Sequence, residues 1–276
     1  MNNIVRLYGE SQLNKMRLQL ARMKKPEGVP YFLTATDEGA LIRQVKFDTY
    51  LEVAFRHEIM EDDLKNRLMS NAWNTFFQAK NELMAAYCVE SNGHKISFHP
   101  KGKNNTKDEF TIHTESDDIF VEVKSPIKEP DSIVWSGNDA LSIRKTIKDA
   151  TNKQLDKNNT NLLIFSGDMR IPITHSYHSG IIEALYGEEK LVLSINSSNL
   201  SNAPERSFEV SGLFQSHRNT RISAVATLQD LLTEKGFHYS FKLFHNPFAL
   251  KKISIDLFKG IKQYVYNDET DQMNWI

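Results

Sequence analysis

The chain has too few cysteines to be built on disulfides: Cys88 is the single one in 276 residues. A cross-linked secreted scaffold is excluded, and a reducing, cytoplasmic compartment is the expectation. Cys88 lies inside an apolar helical pattern and reads as a small buried hydrophobe. No window approaches the roughly 18 to 20 apolar residues of a membrane span, so no membrane partner is expected. The opening stretch "MNNIVRLYGESQLNKMRLQL" lacks the long apolar core of a signal peptide. Charge of one sign is lacking too. Lys and Arg total 34 against 35 Asp and Glu, for a formal net charge of -1, so any polyanionic partner would have to meet a local basic surface. Repeats, heptads, low-complexity tracts and glycine-rich phosphate loops are all missing, and with them the pattern of a nucleotide-binding fold. What remains is ordinary globular composition, 40% hydrophobic and 25% charged, enough for one large domain with or without a smaller one appended.

Two stretches divide the chain. Residues 1–70 read as an N-terminal helical segment, with "QLNKMRLQLARMKK" amphipathic, a Pro/Gly break at "KPEGVP", and a charged helical region through "RHEIMEDDLKNRLMS". His57, Glu58, Asp62 and Asp63 in that region read as a solvated helix face rather than a metal cluster. Residues 71–276 read as the second domain. It opens on a long helix, "NAWNTFFQAKNELMAAYCVESNG", whose Trp73, Phe76, Phe77, Leu83, Met84 and Tyr87 recur at helical spacing and which Gly93 ends. Thr75, Ala79, Glu82 and Ala86 form a small-residue stripe, so Glu82 is either a surface group or aimed at a shared site.

Three short strands then form a meander: "KISFHP", "EFTI" and "IFVEVK". After the loop "SPIKEPDSIVWSGND" comes a helix of roughly 18 residues ending near "KQLDKNN". "NLLIFS" is an uninterrupted apolar run of the kind found in a central strand covered on both faces. A short helix around "SGIIEALYG", a strand "KLVLSI", and strands at "RISAVATL" and "HYSFKLF" follow and can extend the same sheet.

The chemistry concentrates in "FVEVKSP". Residues two apart on a strand share a face, so Phe120, Glu122 and Lys124 point one way while Val121 and Val123 line the other. An isolated buried charge is costly, so this face must be paired, exposed at an edge, or organised around a metal and substrate. Glu-x-Lys alone is a common tripeptide, and an exposed cross-strand pair would account for it. Its surroundings say more: an acidic pair, Asp108 and Glu109, begins the preceding hairpin strand, a helix carrying Glu82 precedes both, and a helix carrying Gln154 follows.

In that order of elements and residues the chain resembles the PD-(D/E)xK nuclease superfamily, over roughly residues 71–166. The resemblance implies an α/β, restriction-endonuclease-like core, αβββαβ, with a mixed central sheet flanked by helices. It matches Glu82 to the helical Glu, the Asp108/Glu109 pair to the acid of the second motif, Glu122 and Lys124 to the (D/E)xK acid and lysine, and Gln154 to a helical Gln of some branches. The second motif departs from pattern, since Pro-Asp is replaced by "KDEF". With Phe110 and Ile112 as the buried face, Glu109 falls on the site face; a strand start or bulge at Asp108 would select Asp108 instead, and both stay open.

Two carboxylates from adjacent strands suit a hard cation with positions left for water and phosphate, so Mg2+, with Mn2+ as a substitute, is the implied cofactor. The resemblance makes Glu82, Asp108 or Glu109, Glu122 and the carbonyl of Val123 its ligands. Lys124 would lower the pKa of the attacking water or stabilise charge growing on the phosphorus oxygens, and Gln154 would contact phosphate or position the water. The expected partner is nucleic acid, DNA ahead of RNA. Lys101, Lys103 and Lys107 before the acidic strand, and Arg144, Lys145, Lys148 and Lys153 on the following helix, are the basic groups available. Cleavage of both strands by one site per chain would favour a homodimer or a partner protein.

The competing reading keeps the fold and loses the chemistry, as a degenerate nuclease acting in nucleic-acid binding or regulation; a third makes Glu122 and Lys124 a sheet-edge pair in an interaction protein. Elsewhere, Trp135 reads as packing. His175 and His178 lack a third zinc ligand, and Ser179 lacks a hydrolase elbow. His217 and Arg218 are candidate phosphate contacts, and His245 with Asn246 reads as a strand end.

Overall fold

The computed structural model describes residues 2–59, 62–98, 109–125, 139–153, 155–167, 180–187, 189–192, 205–208, 211–233, 236–267 and 272–276. The N-terminal part is helical: α1 (Asn2–Ala21), α2 (Gly28–Thr34), α3 (Glu38–Arg56) and α4 (Asp62–Leu68). Asp37 caps α3, its side chain accepting from the backbone N–H of Ala40 at 2.9 Å, and Glu38 adds negative charge to the first turn. The charged stretch expected as one helical region is broken. Glu58 takes a positive φ of 54° just past α3, and the chain turns before α4 begins.

Helix α5 (Trp73–Ser91) is the hinge of the fold. Phe76, Ala79, Leu83, Met84 and Ala86 are fully buried, and Gly93, at φ 88°, takes the left-handed turn that releases the chain into the first strand. The meander is β1 (Lys95–Phe98), β2 (Phe110–His113) and β3 (Ile119–Lys124), each antiparallel to the next. Helix α6 is described over Asp139–Lys153 and leads to β4 (Thr160–Gly167), which lies parallel to β3.

Beyond β4 come α7 (Gly180–Tyr186), β5 (Glu189–Val192), β6 (Glu205–Phe208), β7 (Ala224–Thr233) and β8 (Gly236–His245). A 3-10 turn at Ile255–Phe258 and two further strands, β9 (Lys262–Asn267) and β10 (Gln272–Trp275), complete the chain. The result is α/β: a mixed eight-stranded sheet in the order β1-β2-β3-β4-β7-β8-β9-β10. Strand "KLVLSI" does not extend it. β5 pairs with β6 in a separate two-stranded sheet, while β9 and β10, which the sequence pattern had not announced, lengthen the main one.

Helices cover both faces. One core joins α1 to α5 to the sheet through Val121, Val123, Leu162, Ile164, Ala226 and Leu243. The other joins α6 and α7 to the opposite face through Leu163, Phe165, Val225 and Phe244. The alternation inside β4, Leu162 and Ile164 to one core and Leu163 and Phe165 to the other, explains its unbroken apolar text. Among the described residues no helix is long and apolar enough to cross a membrane.

Candidate active site

The site forms where β2 and β3 meet α5. Phe110 pairs with Val121 across the hairpin, both wholly buried, which puts Glu109 at the next step outward, beside Glu122. The backbone fixes Glu109 twice: its N–H donates to the Val121 carbonyl at 3.1 Å, and its Oε2 accepts from the Val123 N–H at 3.1 Å. Glu122 pairs in parallel register with Leu163 of β4, so it lies on the α6 face while Val121 and Val123 enter the core under α5.

Glu122 is 0% exposed, and it is ion-paired with Lys124, whose ammonium donates to Oε1 from the same strand face. With Glu109 and Glu122 both ionised neither can donate to the other, and Oε2 of Glu122 has no hydrogen-bond donor among the described residues. The cost is visible on Glu109. Burial, then the hydrogen-bonding and charge of Glu122, then the charge of Glu82 push its carboxyl well above the usual carboxylate range, with Lys124 pulling the other way. A carboxyl in that position holds a proton or requires a cation.

Glu82 reaches the same place from α5. It is buried to 3% exposure, and its Oε2 accepts from Arg67 Nη1 at 2.8 Å; Arg67 Nε also donates to Asp63 Oδ2 at 3.0 Å. The neighbouring Asn81 donates from Nδ2 to Ser125 Oγ at 3.0 Å and to the Ser166 carbonyl, tying α5 to the ends of β3 and β4. Around these groups is a cleft of about 280 Å³ lined by Arg67, Glu82, Glu109, Val123, Lys124 and Ser125, with Gln78 and Thr146 at its sides.

Of the residues proposed from sequence, Glu82, Glu109, Glu122, Val123 and Lys124 therefore converge. Asp108, Gln154, Lys101, Lys103, Lys107, Trp135, His175, His178 and Ser179 lie outside the described residues, as does the side chain of Lys153. Lys145 and Lys148 are exposed on α6, but Arg144 is committed to the fold, donating from Nη2 to the Glu183 carbonyl of α7 at 2.9 Å. His217 and Arg218 are exposed in the turns before β7. His245 ends β8 and bonds through Nε2 to Gln263 Oε1 at 2.8 Å, while Asn246 is buried against the carbonyls of Ile222 and Asn219. His57 turns to Glu90 and Asp63 to Arg67, so they belong to different ion pairs.

Sequence reasoning missed Arg67. Its signals were the i, i+4 spacing from Asp63 and a buried glutamate in need of a cation on a neighbouring helix.

The donor set suits a hard divalent ion. Among the described residues no three His, Cys, Asp or Glu side chains stand close enough together to hold a metal. Mg2+ is commonly held by one or two carboxylates, its remaining positions filled by water and substrate phosphate. Glu109 and Val123 line the cleft while Glu122 is fully buried beside Glu109, and the raised Glu109 carboxyl with the unsatisfied Oε2 of Glu122 is what a cation would relieve. Comparison of the chain with family models, curated proteins and solved structures finds no match.

Proposed function

We propose that the protein is a metal-dependent nuclease that hydrolyses phosphodiester bonds, DNA ahead of RNA, on a restriction-endonuclease-like core. The observation that carries this reading is the Glu109 carboxylate opposed to a buried Glu122, with Lys124 on the same face, Glu109 and Lys124 lining a cleft large enough for a phosphate and several waters. The element order α5, β1, β2, β3, α6, β4 agrees with the αβββαβ core. A restriction or phage-defence role follows by analogy with such nucleases.

Glu109, Glu122 and the Val123 carbonyl would hold Mg2+ or Mn2+. When bound, the ion supplies Lewis-acid polarisation of the phosphate and a lowered pKa for water. Glu109 and Glu122 present their charge without reorganising, since β-pairing and the Val123 N–H bond fix them. Glu82 adds negative potential to the same centre and anchors Arg67. Lys124, partly exposed and bonded to Glu122, would orient the attacking water and stabilise charge growing on the phosphate oxygens. Asp108 and Gln154 keep the roles the resemblance gives them.

Purified protein incubated with single- and double-stranded DNA and RNA, in Mg2+, Mn2+ or chelator, tests the reading beside folded Lys124→Ala and Glu122→Ala variants. Metal-dependent cleavage by the wild type, lost in both variants, is expected. Cleavage that survives both substitutions rejects this site. Salt-sensitive binding without cleavage replaces the enzyme by a nuclease-fold binding or regulatory protein.

A further inference from the structure

We infer that Arg67 is a substrate-phosphate contact of this cleft, an inference that rests on the nuclease reading above. Its guanidinium is held at two points: Nε by Asp63 one turn earlier in α4, and Nη1 by Glu82 across on α5. Those two bonds fix the plane of the group. Nη2 donates to no partner among the described residues, and the side chain, 27% exposed, lines the cleft that holds Lys124 and Glu109.

A guanidinium carries five N–H donors in a planar fork that matches two phosphate oxygens. Nε and Nη1 each commit a donor here, and Nη2 is the nitrogen left for an anion. Neutralising Glu82 accounts for only one of them. Asp63 is 78% exposed, so its bond adds little stability and acts chiefly on the orientation of the group. An arginine oriented by one exposed and one buried carboxylate, with Nη2 engaged by neither, is arranged for a third anion. In a cleft that already collects Lys124 and a cation-demanding carboxylate pair, that anion is a backbone phosphate of the bound strand.

The test measures binding of a duplex DNA oligonucleotide over a salt series in chelator, and cleavage of the same duplex in Mg2+, for wild type, Arg67→Gln, Arg67→Lys and the double variant Glu82→Gln/Arg67→Gln. Losing one phosphate contact should reduce the slope of log affinity against log salt by about one. Arg67→Gln should also lower kcat/KM by about ten- to a hundred-fold. Arg67→Lys should keep the slope and recover only part of the rate, because an ammonium cannot make the fork. The double variant also removes the buried Glu82 charge that Arg67 offsets, so that it folds where the single one does not, and it must show the same loss of slope. Wild-type slope in Arg67→Gln, or in the double variant where the single one does not fold, assigns Arg67 to structure alone and overturns the inference. A wild type that neither binds in a salt-dependent way nor cuts rejects the nuclease reading itself, and the Arg67 contact with it.

Discussion

Glu109 and Glu122 stand opposed one step beyond the Phe110 and Val121 pair, where burial first and Glu122 second hold the Glu109 carboxyl well above the usual carboxylate range. Neither can move away. Glu109 is held by backbone bonds to Val121 and Val123, and Glu122 is sealed within the sheet and tied to Lys124. The fold therefore maintains an electrostatic cost, met by a proton on Glu109, that a hydrophobic pair at the same positions would not have. A binding or catalytic requirement explains its presence better than stability does.

That cost has a definite pH signature. The Glu109 carboxyl is raised from its ordinary value of 4.5, by burial first and Glu122 second. The folded chain consequently retains a proton that the unfolded chain has released, and stability declines as pH rises from the ordinary value through the raised one. Glu109→Gln removes this loss. Thermal unfolding between about pH 5 and about pH 9 in chelator should show the variant gaining on the wild type as pH rises. If Glu109 and Glu122 hold a divalent ion, adding Mg2+ or Mn2+ at high pH should raise the wild-type Tm and leave the variant nearly unmoved. Parallel pH curves for the two proteins would refute the coupling.

Lys124 serves stability as well as chemistry. Removing it strands a fully buried Glu122 charge, and since Lys124 keeps 26% exposure through which water can enter, the cost should be on the order of 2 kcal/mol rather than the larger figure for a sealed pair. Glu122→Gln/Lys124→Met should regain most of that loss. Urea titration of the two single variants and the double gives the coupling directly. Additive losses would mean that the ion pair contributes little to the folded state.

The helices, the meander and the central strand were legible because each satisfied a local rule. Phe76, Leu83 and Met84 kept helical spacing, and Leu162 to Phe165 were apolar without a break because both faces are covered. The face shared by Glu122 and Lys124 followed from strand alternation alone. Strands β9 and β10 were not legible: Tyr264 and Val265 enter the core while Lys262 and Tyr266 are exposed, over only six residues, and β10 has four. Arg67 escaped for a different reason. Asp63 and Arg67 look like an ordinary surface pair on a helix, and only the packing of α4 against α5 reveals that the arginine meets a buried glutamate.

Gly212 is placed where no side chain fits. A Cβ there would lie 2.4 Å from the Leu185 carbonyl oxygen and the Tyr186 carbonyl carbon, and 2.5 Å from the Gly187 nitrogen. All three are backbone atoms at the end of α7. They cannot rotate aside, and the segment is pinned by the Leu213 N–H to Ala184 and the Phe214 N–H to Leu185 bonds. Gly212→Ala should cost about 3 kcal/mol and lower Tm by roughly 5–10 °C. A variant that melts within a degree or so of wild type would show that α7 shifts freely on the sheet.

Cys88 offers a direct reading of how firmly α5 is seated. Its thiol is 3% exposed, and burial pushes it up to about 12, so almost no thiolate forms near neutral pH. A thiol-reactive disulfide reagent should modify the native protein slowly and one thiol per chain at once in denaturant. Because Cys88 and Glu82 share α5, slow native labelling reports the opening of the helix that also supplies a wall of the cleft. Divalent ions should slow it further if they bind the folded carboxylate pair, since the helix and the strands then open against the binding energy of the ion. Labelling as fast in the native protein as in denaturant would mean that α5 is not held by its core contacts.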